Sequence, residues 1–375
     1  MLAEKISYTG FRNIKSQTLS LSPGINILYG MNAQGKTNAL EGIYLFAHGK
    51  SFRTQNDRDM VNFESVKTSL EMLYSEGEVK KALSFELFRT KRRLCKINKA
   101  PAKLNEVIGQ FRAVLFCPDY LSIVKDGPSQ RRSFINSALC QIKPVYMKSL
   151  QRYNHILEQR NALLKNISEN KRKPDGIIEF FNEQLSEEAA YIYSVRREYT
   201  EKLSRYVNSF FEDMSNGETV EIFYKNSLKD DPGYDRKEIK RRYLDLLERD
   251  RAREIALETT IHGIHRDDLE IYLSGREAKI YASQGQQRSI ALALKLSEGE
   301  ISREATGAYP VFLFDDVLSE LDKNRQRFVF ERLRDRQVVV TSCDISGFER
   351  KILSDAALTE VNNGFFETEE QNGEI

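Results

Sequence analysis

The eight residues "GMNAQGKT", Gly30 to Thr37, constrain this chain more than any other stretch. They fit the pattern of a glycine, any four residues, then glycine, lysine and serine or threonine. Before them stands "INILY", a short apolar run of the kind that forms a buried central strand. After them "KTNALEGIYLFAHG" reads as a helix that ends on Gly49. Strand, glycine loop and helix are the context that makes this pattern a phosphate cradle. The loop from Gly30 through Met31, Asn32, Ala33, Gln34 and Gly35 to Asn38 is expected to turn backbone N–H groups toward an anion, aided by the helix dipole. Lys36 is placed to reach the β and γ phosphates of ATP, and the Thr37 hydroxyl to bind Mg²⁺.

A second stretch completes such a site. "VFLFDD", Val311 to Asp316, is a buried strand ending in two carboxylates. Alone it reads as a core strand with an acidic helix cap. Paired with the phosphate loop, Asp315 is expected to hold the Mg²⁺ water shell, and Asp316 to polarise an attacking water as general base. A third stretch, "YASQGQQRSIALALKL" (Tyr281 to Leu296), places a serine, a glycine and three glutamines before a helix. It is either a capped helix start or a second set of N–H groups facing an anion. It lies about 245 residues beyond the phosphate loop.

The remaining pattern divides the chain. "EKISYTGF" and "SQTLSLS" alternate like half-buried strands, "TSLEMLYSE", "KKALSFELF" and "RRLCKINK" form a meander, and "AVLFCP" is a further buried strand. From about Ser129 to Leu257 the chain is rich in charge and helix formers, and two apolar stripes flank the polar loop "NISENKRKPDG". That predicts an antiparallel helical hairpin. "DDLEIYL", a Ser274-Gly275 turn and "REAKIYA" read as a β-hairpin, and a long helix is expected from about Gln284. The helix "KNRQRFVFERL" and the strand "QVVVTS" follow, and the tail "TEEQNGEI" reads as frayed. The expected class is α/β: a head of mixed and parallel sheet from residues 1–128 and 259–375, with a mainly helical lobe at 129–258.

Composition narrows the partners. The formal net charge is only +2, so a nucleic-acid surface has to come from local segregation of charge. Arg89 to Lys103 carries seven cations and no acid, fitting either a row of phosphate contacts or an edge strand blunted by cations. "DRKEIKRRYLDLLERDRAR" mixes signs like a solvated helix face. Arg131 and Arg132 suit either DNA or an acidic neighbour. The four cysteines share no C-x-x-C spacing and read as free thiols. His262 and His265 have no third ligand nearby and read as structural. No apolar run approaches the ~18 residues that span a bilayer, and the first residues lack an apolar signal core. The expectation is a soluble, cytoplasmic protein without a membrane.

Taken in order, the phosphate loop, the paired aspartates and "SQGQQ" resemble the ABC-type ATPase heads of SMC-like DNA repair proteins. Within that class, "FRNIKSQTLSLSPGINILYG", "CPDYLSIVKDGPSQRRSFIN", "HGIHRDDLEIYL" and "FDDVLSELD" are similar to the RecF family, and the resemblance spans the chain. It implies heads that pack head to tail around two ATP molecules. Ser283, Gln284, Gly285 and Gln286 match the signature that meets the γ-phosphate held by the other subunit, although the family's common double glycine is single here. "LSELD" (Leu318 to Asp322) matches the D-loop, and Arg12 matches a nucleotide contact. Ile264 stands where the family often has proline, and no switch histidine follows "VVVTS". Asp316 replaces a glutamate common in ABC transporters, which suits slow hydrolysis. The resemblance further implies an ATP-dependent homodimer that binds DNA at single-strand/double-strand gaps, with RecO and RecR as partners in placing recombinase. The rivals are a transporter's nucleotide-binding subunit and a scaffold that binds ATP without turnover.

Overall fold

The computed structural model of the protein describes residues 1–169, 176–215, 217–228 and 232–369. The first third runs β1 (Leu2–Phe11), β2 (Ile14–Ser20), β3 (Ile25–Tyr29), α1 (Lys36–His48), β4 (Lys67–Glu76), β5 (Val79–Phe88), β6 (Leu94–Ile97), β7 (Ala100–Ala102), the short α2 (Leu104–Val107), β8 (Ala113–Phe116) and the short α3 (Pro118–Leu121). The middle holds α4 (Pro128–Ile142), α5 (Pro144–Ser168), α6 (Ile177–Glu212), β9 (Val220–Lys225), α7 (Arg236–Arg249), α8 (Arg251–Leu257), β10 (Asp268–Leu273), β11 (Arg276–Glu277) and α9 (Ala278–Tyr281). Last come α10 (Gln284–Thr306), β12 (Val311–Asp315), α11 (Lys323–Arg332), β13 (Val338–Ser342), α12 (Arg350–Asp355), β14 (Ala357–Asn362) and β15 (Phe365–Thr368).

These elements form two compact units: Met1–Ser122 with Phe210–Asn216 and Ser283–Ile375, and Ile123–Ser209 with Gly217–Ala282. The first unit contains two sheets. One is antiparallel, in the order β2-β1-β4-β5-β6-β7. Its strands alternate because one face meets the core: β1 buries Ala3, Ile6 and Tyr8, and β4 buries Leu70, Met72 and Tyr74. The other runs β15-β14-β3-β13-β12-β8, parallel except for the last pairing of β14 with β15. Its inner strands are continuous apolar runs, and "INILY" and "VFLFD" bury nearly every residue. The helix α1 joins both sheets in one core, with Leu40 and Ile43 among Leu28, Leu313 and Val339. The Tyr8 hydroxyl donates to Ala39 O at 2.7 Å. A Cβ on Gly42 would stand 2.4 Å from the Tyr8 ring, so that approach requires glycine.

The second unit is built on α5 and α6. Leu163, Leu164 and Ile167 of α5 pack with Ile178 of α6. Two buried arginines inside it are paired: Arg160 donates to Asn182, Thr260 and Glu254 at 2.6–2.8 Å, all of them buried. Arg196 contacts Tyr146, Asn136, Asp267 and the carbonyl of Ile264. Removing one member of such a buried set strands its partner's charge.

Three departures from the sequence reading have local causes. The mainly helical lobe also contains a strand: β9 pairs with β10 in antiparallel register, Val220 opposite Leu273, and residues 259–282 fall in the second compact unit. The expected "REAKIYA" strand is two residues long before the chain turns into α9. The hairpin of β14 and β15 went unread, although "EVNNGFFE" carries an Asn-Gly turn between alternating residues. Asn363 and Gly364 take φ of 48° and 80° there, as such a turn requires. The centre of the polar loop "NISENKRKPDG" (170–175) and most of the tail "TEEQNGEI" (370–375) lie outside the described residues.

Candidate functional site

Parallel pairing brings the carboxyl ends of β3, β13 and β12 to one edge, with β13 between the other two. That edge is where open α/β sheets bind ligands. The glycine loop leaves β3 there. Gly30 has φ 145°, and a Cβ on it would lie 2.4 Å from Val361 O in β14. Gly35 has φ 116° and is pressed against the Asn13 side chain. Ala33 also sits at positive φ, 65°. The loop is fixed from both sides. Asn13 Nδ2 donates to Gln34 O at 3.1 Å, Asn38 Nδ2 donates to Asn13 Oδ1 at 2.8 Å, and the N–H groups of Gly364 and Asn363 donate to Gln34 O and Oε1 at 2.8 and 2.6 Å. Met31 at the tip is 78% exposed.

Lys36 opens α1, is buried, and folds back to donate to the carbonyls of Gly30 and Met31 at 2.5 and 2.7 Å. Its ammonium is thus held inside the concave face of the loop. Thr37 Oγ1 donates to Asp315 Oδ1 at 2.8 Å, and Thr341 Oγ1 at the end of β13 donates to the same oxygen at 2.9 Å. Burial pushes the Asp315 carboxyl up, and the two hydroxyls oppose that shift. Asp316 follows at φ 51°, exposed, with its N–H donating to Thr341 Oγ1 at 3.0 Å. Cys343 Sγ donates to Asn32 Oδ1 at 2.7 Å and stands 4.0 Å from Asp316 Oδ1. Thr341 and Cys343 thus stand beside Asp316.

Arg12 is differently engaged. Its guanidinium forms a two-point pair with buried Glu41 at 2.9 and 2.6 Å and donates to Asp59 O at 2.6 Å. Its neighbour Asn13 is the residue that touches the loop.

Ser283 caps α10. Its hydroxyl accepts from Gln286 N at 3.2 Å, and Gln286 Oε1 accepts from Ser283 N at 2.8 Å. Ser283 and Gln284 face solvent. Two arginines missed in the sequence tie this helix start to the 318–322 segment. Arg288 donates to the carbonyl and carboxylate of Glu320, both at 2.8 Å. Arg325 pairs with Asp322 and donates to Gly285 O and Ser289 Oγ at 3.0 and 2.8 Å. Their positions, "QQRS" and "DKNR", look like ordinary surface charge, so spacing alone carried no signal.

Among the described residues no cluster of three or more His, Cys, Asp or Glu side chains fits a metal ion. His262 meets Asp250 at 2.5 Å and His265 meets Tyr153 at 2.7 Å. No described helix is long and apolar enough to cross a membrane.

The two-sheet core, the glycine loop at the parallel edge and the acidic strand end beside it define an ABC-type ATPase head of the SMC-like class. The RecF/RecN/SMC N terminal domain model matches residues 2–364. The DNA replication and repair protein RecF of Acetivibrio thermocellus is 38% identical over 368 residues, 97% of this chain and 99% of that one. That of Ruminiclostridium cellulolyticum is 37% identical over 369 residues, 98% and 97% of the two chains. The chain belongs to the RecF family. Two solved structures of the recombination mediator protein RecF in the RecFOR pathway, described as RecF-ATPrS and RecF-ATP, match with TM-scores of 0.92 and 0.91 at 34% identity. Each match covers 98% of this chain, and 98% and 97% of the respective structures. An Smc head bound to the C-winged helix domain of ScpA matches at TM-score 0.57 and 14% identity, covering 100% and 98%, which shows the shared fold alone.

Proposed function

We propose that the protein is an ATP-gated recombination mediator: a weak ATPase that dimerises on ATP, binds DNA at single-strand/double-strand gaps and helps place recombinase there, in the cytoplasm at the nucleoid. The observation that carries this reading is the convergence of Lys36, Thr37, Asp315 and Asp316 at one sheet edge, together with a capped helix start at Ser283 that faces solvent.

The loop from Gly30 to Asn38 cradles the phosphates, and Lys36 trades its two carbonyl partners for phosphate oxygens. Thr37 and Asp315 present hard oxygens 2.8 Å apart, which suits Mg²⁺ completed by phosphate and water oxygens. The bound ion neutralises phosphate charge during transfer. Asp316 accepts a proton from water at the phosphate. Its backbone is fixed by Thr341, but its side chain is one methylene shorter than glutamate, which favours slow turnover and a switch over a motor. Ser283, Gln284, Gly285 and Gln286 meet the γ-phosphate of the other copy, and the 318–322 segment crosses the same contact. DNA, RecO and RecR are the partners of the ATP-bound dimer.

Light-scattering mass with ATP and Mg²⁺, with ADP and without nucleotide tests this directly. The wild type is expected to double its mass only with ATP and Mg²⁺, while Ser283→Arg binds ATP and stays monomeric. A mass that ignores nucleotide, or a normal dimer from Ser283→Arg, removes the intermolecular site. Turnover is expected to vanish in Lys36→Ala with loss of ATP binding, and in Asp316→Asn with ATP binding kept.

A further inference from the structure

Among the described residues, the two most exposed large apolar side chains are Phe63, at 96%, and Val66, at 85%. They stand three residues apart on the segment entering β4. A single exposed aromatic is ordinary. This one is held out by a loop fixed at almost every turn. Asn62 N donates to Gly10 O at 2.9 Å and its Nδ2 to Arg12 O at 2.6 Å. Asn62 Oδ1 accepts from Glu64 N at 2.9 Å, and Ser65 N donates to Asn62 O at 2.9 Å. From below, Arg89 donates to the carbonyls of Val61 and Asn62 at 3.1 and 2.9 Å, and its guanidinium lies 5.8 Å from the Phe63 ring. The backbone is rigid, yet the ring it carries adds almost nothing to the core.

The surroundings are cationic. Lys67 opens β4 opposite Phe88, the last residue of β5, so the loop after β5 emerges beside Phe63. That loop is "RTKRR", and Lys91 lies over the Phe88 ring at 4.0 Å. Arg89 is spent on the loop's own carbonyls, and Arg93 is turned inward to Asp57 and Gly49 O. Lys91 and Arg92 stay exposed. Glu64 pairs with Lys15 at 2.8 Å and Glu86 with Lys67 at 3.0 Å, which leaves Lys91 and Arg92, among the described residues, as the uncompensated charges beside the ring. The balance favours a polyanion.

We infer that Phe63 is a base-stacking platform for an unpaired nucleotide at a DNA junction, flanked by Lys91 and Arg92 for the adjoining phosphates. A flat ring accepts any base, and neighbouring cations follow the strand. The inference rests on the DNA-binding reading above and names the site and the strand element it takes. The same loop is joined to the phosphate cradle through Asn62, the Arg12 carbonyl and Asn13, which holds Gln34 and Asn38. The platform is thus tied by a hydrogen bond to the turn that braces the nucleotide loop.

The test uses the full chain with ATP and Mg²⁺. One DNA has a single-strand/double-strand junction with 2-aminopurine at the first unpaired position; the control is an uninterrupted duplex. Phe63→Ala is expected to lose roughly ten-fold in junction affinity and to bind the duplex as the wild type does. Its slope of log affinity against log salt stays the same, because no charge is removed. The wild type and Phe63→Tyr alter 2-aminopurine emission, and Phe63→Ala does not. Lys91→Ala weakens both DNAs and lowers the salt slope by about one. Unchanged junction affinity in Phe63→Ala overturns the platform and leaves the DNA-binding reading standing. Loss of the ATP-dependent dimer in Phe63→Ala also overturns it, assigning the ring to a contact between copies. A wild type that binds neither DNA overturns both.

Discussion

Arg12 has a structural partner beside the nucleotide role that family likeness implies for it. Family likeness suggests a nucleotide contact, whereas the structure gives its guanidinium a buried partner, Glu41, that also accepts from Ser51. Stranding a buried carboxylate costs about 3–5 kcal/mol. Glu41 keeps Ser51 and, at 3.6 Å, Arg53, so Arg12→Ala is expected to lower unfolding free energy by less than that, about 1.5–3 kcal/mol, with no nucleotide present, as urea denaturation would report. A loss seen only with ATP bound would return Arg12 to the nucleotide. Gly30 offers a second contrast. Its φ is positive and the space for a Cβ is filled by Val361 O, while Gly77 has φ 61° and nothing within 4 Å. Gly77→Ala should cost only the left-handed strain, ~1–2 kcal/mol. Gly30→Ala should cost more than that and also displace the phosphate loop, read as weaker binding of a fluorescent ATP analogue. Spacing alone placed Lys36, Thr37 and Asp315 in one plausible site because the motif fixes chain direction. It gave no hint of Asn13, which holds the loop from a distant strand turn.

At the scale of elements, strands with a clear period were legible. β1, β4 and β5 alternate, and β3, β12 and β13 are continuous apolar runs, so burial on one face or two is written into the residues. β9 was hidden because its six residues sit inside 130 positions of helix-forming composition, and a strand so short is decided by its partner β10. The start of α10 was legible as a cap, "SQGQ", but its brace was not. Arg288 and Arg325 bond it to the 318–322 segment through pairs that span 32 to 40 residues. Charge-assisted hydrogen bonds of this kind contribute ~1.5–3 kcal/mol. Arg325→Ala should leave ATP binding by the single subunit intact. It should raise the protein concentration for half-dimerisation by about ten-fold, followed by light scattering against concentration; an unchanged midpoint would show that the brace has no part in dimerisation.

Across the whole molecule, buried titrating groups set the response to acid. Burial, with Lys295 nearby, holds the His48 imidazole at about 3, and burial holds that of His265 at about 4, against an ordinary value near 6.5. As pH falls the unfolded chain protonates first. The stabilising contribution is fully present above about pH 6.5 and is lost toward pH 4, by up to ~1.4 kcal/mol per pH unit for each histidine. Asp267 acts in the opposite sense. Burial raises its carboxyl to about 6, so its contribution is present below about pH 4 and is lost as pH rises through 6. His48→Gln removes one term. The stability gap between wild type and this variant should shrink by ~2 kcal/mol from pH 6.5 to 5, measured from urea midpoints; a constant gap would mean that folded His48 protonates normally. Composition gave the size of the core and the absence of a global charge, but not this balance, because burial of individual groups is a property of the fold.

The position of β3 in its sheet has a consequence for synthesis. Both its neighbours, β13 and β14, come from residues 338–362. At ~5–20 residues per second on the ribosome, the strand that carries the phosphate loop emerges roughly 15–60 s before either edge partner. Until then it is an apolar ribbon with two open edges, and the loop lacks the backbone of Val361, Asn363 and Gly364 that closes over it. A nascent chain of this protein thus acquires its nucleotide site only after residues 338–364 have emerged. A chain stopped after Ala356 would be a ward for chaperones, holding a complete phosphate-loop sequence with no pocket around it.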